Sequence, residues 1–326
     1  MGIVIALITS IMLFVVVPNS HAAPVTNNAN TLKISPVRTD LTVAAGATGT
    51  VDITVSNLTN APMTVQVIEN DFIAGDERGT PALILDADKY APTHSLKRFM
   101  VPIPNVTIPA NSNKVVKLSI KVPANAKAGG YYGAVRFVPV TGEGSNSVNL
   151  NASVASLVLL TVPGDIEEKL NLTNFDIKQG SKVDTIFQSA NDLQVGVRLE
   201  NKGGVQEGPF GSIIVKQGDK VIYTYDFNHK EPRDMVLPDS ARRWDVPLKN
   251  IGSFGNYTVA MTLSYGSKNQ TIEVSKSFWV IPWGVIIGVV GGIVLLIALI
   301  VGVWLFLRGY KRRIINNSFH GNRRRR

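Results

Sequence analysis

The stretch VPANAKAGGYYGAVRF, residues 122–137, decides how the chain is read. A loop rich in Ala and Asn runs into Gly129-Gly130, then into two adjacent tyrosines and a strand-like run. A glycine-rich loop beside tyrosines invites a ligand-binding reading, but the rest of the chain argues for architecture. In the second half, GNYTVAMTL (255–263) repeats the order glycine, tyrosine, alternating strand. Earlier in each half an alternating run ends in an Asn and a turn, ITVSNLTNAP (53–62) and GVRLENKGGV (196–205). The two halves are versions of one plan. In an immunoglobulin-like sandwich a Tyr at the start of a strand closes the corner between sheets, and glycine before it permits the tight backbone path. Tyr131 or Tyr132, and Tyr257, are therefore expected as corner residues.

Alternation with period two runs through both halves. Val51, Ile53 and Val55 share one face, as do Val116, Leu118, Ile120 and Val122, with Lys117 and Lys121 opposite. Leu193, Val195, Val197 and Leu199 repeat the pattern, and so do Tyr257, Val259, Met261, Leu263 and Tyr265. Such runs, separated by Gly, Pro and Asn, describe antiparallel sheets with one buried face. The fold class expected is all-β: two tandem immunoglobulin-like β-sandwich domains, residues 30–164 and 165–280. The boundary is placed at TVPGDIEEKLNLTNFDI (161–177), where Pro163-Gly164 ends an apolar strand and an acidic run reads as linker. A short linker predicts two sandwiches stacked end to end.

The chain's ends predict where it resides. Residues 1–22 read as a signal peptide, an apolar run followed by Ser20 and Ala22 at small-residue cleavage positions. The 25 residues from Trp283 to Leu307 carry no charge, about 37 Å of helix against a membrane core of about 30 Å. Trp279, Trp283 and Trp304 flank this span as an aromatic belt. The transmembrane helix is set at 281–307 and the basic tail at 308–326. The tail holds eight Arg and Lys and no acid, which marks its side as cytoplasmic and leaves the ectodomain outside. The expected location is the cell membrane, in a single pass.

Most of the net charge of +9 therefore belongs to the tail, which suits anionic lipid headgroups and gives no reason to expect nucleic acid. The chain has no cysteine. Thiol catalysis, Cys-based zinc sites and disulfides are excluded, and an exported ectodomain without disulfides points to a bacterial surface protein.

The first half also resembles a known family. LKISPVRTDLTVAAGATGTVDITVSNLTNAPMTVQVIENDF (32–72) and VTIPANSNKVVKLSIKVPANAKAGGYYGAVRF (106–137) are similar to the N-terminal domain of the WxL-interacting proteins of Gram-positive bacteria. The shared features are the I-S-P opening, the Asn after the second strand and the V-P-x-x-A-x-x-G-x-Y-Y-G-A-V run. The likeness covers residues 32–140; the second half, with VLPDSARRWDVPL and KSFWV ahead of the span, is more diverged. Signal peptide, two domains, one helix and a basic tail is also that family's layout. The resemblance implies binding: peptidoglycan by the first domain, partner proteins or host matrix by the second. It carries over no binding residue, because the shared motifs are structural.

No catalytic constellation stands out around His94 or His229, the two ectodomain histidines. Neither an enzyme activity nor a cofactor is expected. DADKY (86–90) lacks the glycine and final Glu of a calcium loop. The polar insertion NDFIAGDERGTPALILDADKYAPTHSLKRFM (70–100) is the candidate binding surface, since long loops in compact sandwiches usually carry function. Phe72 and Tyr90 read as exposed, and with Lys97 and Arg98 they suit the sugar rings or acidic groups of a wall polymer. A cover over an open sheet edge is the plainer role. The expected partners are cell-wall polymer or a surface protein, and the lipid bilayer. Gly284, Gly288 and Gly292 recur every four residues, a stripe that allows a homodimer through the membrane helix. SPVRTDLT (35–42) also resembles the first strand of periplasmic pilus chaperones. The membrane span disfavours that alternative, an assembly factor acting on exported subunits.

Overall fold

In the first half of the molecule the opening strand divides between two sheets. The computed structural model describes residues 31–140 and 153–320, with side chains to residue 311. The expected signal peptide and residues 321–326 of the basic tail lie outside the described residues. Strand Leu32–Ser35 pairs antiparallel with Thr48–Asn57, which pairs with Asn113–Lys121. Its continuation Arg38–Thr42 crosses to the opposite sheet and runs parallel to Val154–Val162. That sheet goes on through Gly129–Pro139 to Met63–Ala74, flanked by Pro81–Leu83 and Val106–Ile108.

The second half also builds two sheets, but its first strand turns back as a hairpin into Lys182–Val183 before the chain crosses to the other sheet. Leu170–Gln179 pairs with Leu193–Asn201, then Ala241–Pro247. The short Ile186–Phe187 runs parallel to Gln270–Val280 on the other sheet, which continues through Gly255–Tyr265 and Phe210–Gln217 to Lys220–Phe227. The chain is thus all-β, in two tandem sandwiches, followed by one helix, Trp283–His320. Within it, Trp283–Lys311 is long and apolar enough to cross a membrane, and none of its most apolar stretch is buried.

The alternating residues face inward. Ile53, Val55, Leu118 and Ile120 are wholly buried in one core, and Val195, Val197, Leu199, Val259 and Leu263 in the other. Each such side chain contributes about 1.5–3 kcal/mol over an exposed one. The two Asn-and-turn stretches are the same knot twice. Asn57 sits opposite Leu32 and Asn201 opposite Leu170 in their ladders. Asn57 donates to the carbonyls of Ala61, Ile108 and Pro109 and accepts from the Thr59 amide at 2.9 Å. Asn201 donates to Val205 and Val236 at 2.7 and 2.8 Å and accepts from the Gly203 amide at 2.8 Å. In both cases one buried amide ties together backbone groups of the turn after it and of a second segment.

The tyrosines separate by face. Tyr131 donates to the Lys127 carbonyl at 2.9 Å and packs on Phe99, with ring centroids 4.8 Å apart. Tyr257 is buried, accepts from the Gly252 amide at 3.0 Å, donates to the Phe254 carbonyl at 3.3 Å and stacks on Phe278. Tyr132 departs from the expected corner role: its hydroxyl reaches across to the second sandwich, to Gln206 Oε1 at 2.9 Å. Neighbours on a strand point to opposite faces, so only one of the adjacent pair can serve its own corner.

Replacing Tyr257 with Phe is expected to cost about 1 kcal/mol in urea unfolding of the full chain in micelles. Asn201→Ala, which strands the Val205 carbonyl and the Gly203 amide, should cost at least about 2 kcal/mol. Equal losses from the two would contradict this ranking.

Candidate functional site

The insertion hangs from three consecutive polar residues of Met63–Ala74. Glu69 accepts the Ile103 amide at 2.9 Å, and Asn70 donates to the Ile84 carbonyl at 2.8 Å. Asp71, fully buried, accepts from the Ala91 and Lys97 amides at 2.8 Å each and from the Ser95 hydroxyl at 2.6 Å. A buried carboxylate is costly unless hydrogen-bonded, so Asp71 dictates the path of residues 91–97. Farther along, the insertion lies against the edge strand Asn113–Lys121: Val101 N–H donates to the Ser119 carbonyl and Lys121 N–H to the Phe99 carbonyl. It covers that sheet edge.

This scaffold brings Tyr90, Lys97 and Arg98 together. Arg98 lies over the Tyr90 ring at 4.3 Å and Lys97 at 5.0 Å. Lys97 Nζ also donates to the carbonyls of Ala87 and Lys89. Tyr90 remains 44% exposed. The group is an outward aromatic with two cations, the chemistry that suits sugar faces and anionic groups. DADKY is a turn, with the Asp88 amide on the Asp86 carboxylate and Lys89 paired to it at 3.1 Å.

Phe72 does not join them. Expected to be exposed, it is 4% exposed and packs 6.0 Å from the Tyr132 ring. These two, with Ala134 and Leu159, form an apolar cluster covered by Met235 and Leu237 of the second sandwich. The outer face of the first sandwich is thus closed by its neighbour. Around the cluster, Gly130 N–H donates to the Gly204 carbonyl at 2.8 Å, and Gln206 bridges Tyr132 and Thr161. Arg38 donates to the Arg233 carbonyl at 2.6 Å. Glu77, on the turn before Pro81–Leu83, meets Arg198 at 2.7 Å and Arg243 at 3.5 Å. The Arg198 guanidinium is the main cause holding the Glu77 carboxyl below its usual range. At Gly79, on the same turn, the backbone has φ +89° and any side chain would run into the Arg242 guanidinium.

Glu207 is the group in this seam that the sequence did not signal. Its backbone bridges Val236 in both directions. Its side chain is 3% exposed, and Oε1 has no hydrogen-bond partner. Burial first, then the nearby Glu168 charge, pushes its carboxyl up to about 7. Nothing in GGVQEGPF (203–210) marks Glu207 as buried, because the contact that buries it lies between sandwiches. Glu69-Asn70-Asp71 did carry a signal, three polar residues interrupting an otherwise apolar alternation.

The described residues thus comprise tandem β-sandwiches followed by one helix long and apolar enough to cross a membrane. Residues 39–138, most of the first sandwich, match the family model described as "WxL Interacting Protein, peptidoglycan binding domain". The match takes in Asp71, Tyr90, Lys97, Arg98 and both adjacent tyrosines. No curated protein matches the chain. Among solved structures it is similar to a chaperone–tip adhesin complex of CFA/I fimbriae, at 15% identity over 76% of this chain and 99% of that one, TM-score 0.41. It is also similar to the class 5 fimbriae chaperone CfaA, at 16% identity over 75% and 98%, TM-score 0.40. A third is the E. coli chaperone DraB, at 13% identity over 76% and 96%, TM-score 0.35.

The raised Glu207 carboxyl has a thermodynamic consequence. The folded chain keeps this proton to about pH 7, whereas the unfolded chain releases it near 4.5. The folded state therefore binds more protons across that interval, and stability declines as pH rises through it. The contribution is fully present below about 4.5 and gone above about 7, an amplitude of about 3 kcal/mol. Glu207→Gln should flatten that interval and be the more stable protein at pH 7.5, as read by urea midpoints at both ends. Parallel pH profiles for parent and variant would refute the assignment.

Proposed function

We propose that this chain is a membrane-anchored bacterial surface protein whose first sandwich holds peptidoglycan through the Tyr90, Lys97 and Arg98 face. The supporting observation is coincidence: the segment matching a peptidoglycan-binding domain contains the long insertion, and Asp71 fixes that insertion with an exposed aromatic and two cations outward. The role is adhesion or scaffolding, by binding rather than catalysis. The second sandwich, rigidly joined at the seam, presents another surface protein with the wall. The basic tail lies on the cytoplasmic side, following the positive-inside rule.

Sedimentation of the full chain in micelles with isolated peptidoglycan tests this reading. Tyr90→Ala and Arg98→Ala should each weaken retention about 5-fold, the worth of an exposed cation–aromatic contact. Asp71→Ala, which releases the whole loop, should weaken it further. Retention unaffected by Tyr90→Ala with Arg98→Ala would remove this face from consideration. If the parent itself is not retained while an exported subunit co-purifies, the protein is an assembly factor instead.

The membrane helix supports a second expectation. A side-chain carbon added at Gly284, Gly288 or Gly292 would meet nothing within 4 Å beyond the helix's own backbone, so two helix backbones can approach closely there, and pairing would give two weak heads avidity. Energy transfer between tagged copies in membranes should fall when Gly288 and Gly292 are replaced by Leu. An absent signal in the parent would dispose of the dimer.

A further inference from the structure

Six of the seven buried polar or charged residues among those described have hydrogen-bond partners for their side chains: Asn57, Asn70, Asp71, Ser95, Ser156 and Asn201. Glu207 is the seventh, and its Oε1 is the one buried carboxylate oxygen in the described residues left without a partner. Native interiors rarely leave such an atom unmet, and one that persists asks for an explanation. Glu207 lines a cavity of about 410 Å³ at the seam, with Asp40 and Thr161 from the first sandwich and Glu168, Phe210 and Tyr265 from the second.

We propose that this cavity binds an aliphatic primary ammonium group on the Glu207 carboxylate. The charge balance favours a cation. Asp40, Glu168 and Glu207 face one cation in the lining, Arg233. The Arg233 guanidinium sits over the Phe210 ring at 4.0 Å, and its buried Nε lies 3.3 Å from Glu231 Oε1 without a hydrogen bond, so one cation only partly offsets three carboxylates. The other carboxylates are engaged: Asp40 takes Arg38 at 2.7 Å, and Glu168 takes the Ser267 amide at 2.9 Å and hydroxyl at 3.0 Å. One free anionic oxygen remains, with a second negative charge near it. No three acidic or His side chains among the described residues are grouped to hold a metal ion, whereas an ammonium donates to one oxygen and gains from the neighbouring charge and the Tyr265 ring. Val205 and Met235 supply apolar wall for an alkyl stem. The ammonium competes with the proton that Glu207 carries below about pH 7.

The site is separate from the Tyr90 face and uses different ligand chemistry, so the two fail independently. The probe is n-butylamine, titrated calorimetrically into the full chain in micelles. Saturable one-to-one binding is expected at pH 8, weakening about tenfold per pH unit below 7 as the carboxyl protonates. Glu207→Gln, a neutral variant of similar shape, should bind at least tenfold more weakly at pH 8 with its fold intact, and n-butanol should not bind. Tyr90→Ala should leave the butylamine signal unchanged. No binding by the parent at pH 8, equal binding by Glu207→Gln, equal binding of butanol, or Glu207-dependent binding of calcium instead would each overturn the proposal. Competition against isolated peptidoglycan separates the sources of the ammonium group. Release of the wall by butylamine, lost in Glu207→Gln, assigns it to wall peptides, and unchanged retention assigns it to a soluble amine.

Discussion

The Asp71 carboxylate is the constraint on which the displayed surface depends. It sits where Met63–Ala74 stops pairing with Gly129–Pro139 and turns outward to pair with Pro81–Leu83. Left unbonded there, it would cost several kcal/mol. Bonded to the Ala91 and Lys97 amides and the Ser95 hydroxyl, it makes one conformation of a long polar loop much better than the rest. That selection opposes the entropy of about thirty residues which, by composition, have little reason to order themselves. The two roles offered by the sequence for this insertion are compatible for the same reason. Phe99 and Val101 close the edge of Asn113–Lys121, and this closure anchors the far end of the loop that carries Tyr90. An edge cover and a display loop are two ends of one fixture.

The same logic explains what was legible in the sequence. Alternation located both cores, since Val51 to Val55 and Leu193 to Leu199 had to turn every second side chain inward. The Asn57 and Asn201 stretches could be matched because a buried amide capping a turn needs that residue and a nearby break in the strand. Faces between the sandwiches were not legible. Phe72 and Tyr132 lie on the side of the first sandwich that alternation assigns to solvent, and solvent is what an isolated sandwich would have there. Met235 and Leu237 occupy it instead. A contact between units separated by about a hundred residues has no period, so neither burial of Phe72 nor isolation of Glu207 could be read from local pattern.

The seam itself is mixed in character, which bears on what it can do. Its centre is apolar, and its rim pairs Glu77 with Arg198 and Arg243 across 44% and 26–38% exposed side chains. Exposed pairs of this kind contribute little individually. They set register rather than strength: Glu77 also accepts the Arg243 amide on its own carbonyl, so the turn joins the free edge of Ala241–Pro247 as well as meeting its charges. Stability of the joint comes from the cluster around Tyr132, and orientation from Glu77.

Orientation then passes to the membrane. Strand Gln270–Val280 ends beside Ile186–Phe187, with the Ile281 amide on the Phe187 carbonyl at 2.7 Å. Pro282 directly precedes the helix, which begins at Trp283. Proline fixes its own φ and cannot donate, so it suits a helix start, and it restricts the residue before it to extended geometry. Only Ile281 and Pro282 separate sheet from helix, and Ile281 is hydrogen-bonded. A flexible stalk would let the sandwiches sample a wide volume above the bilayer and would uncouple a load on the loop from the anchor. Here the last strand, the seam and the Asp71-bound loop form one continuous run of bonded structure from the helix to Tyr90. Force applied at that aromatic is therefore borne by ladder hydrogen bonds and the apolar seam before it reaches the helix, which is what the proposed anchoring role requires.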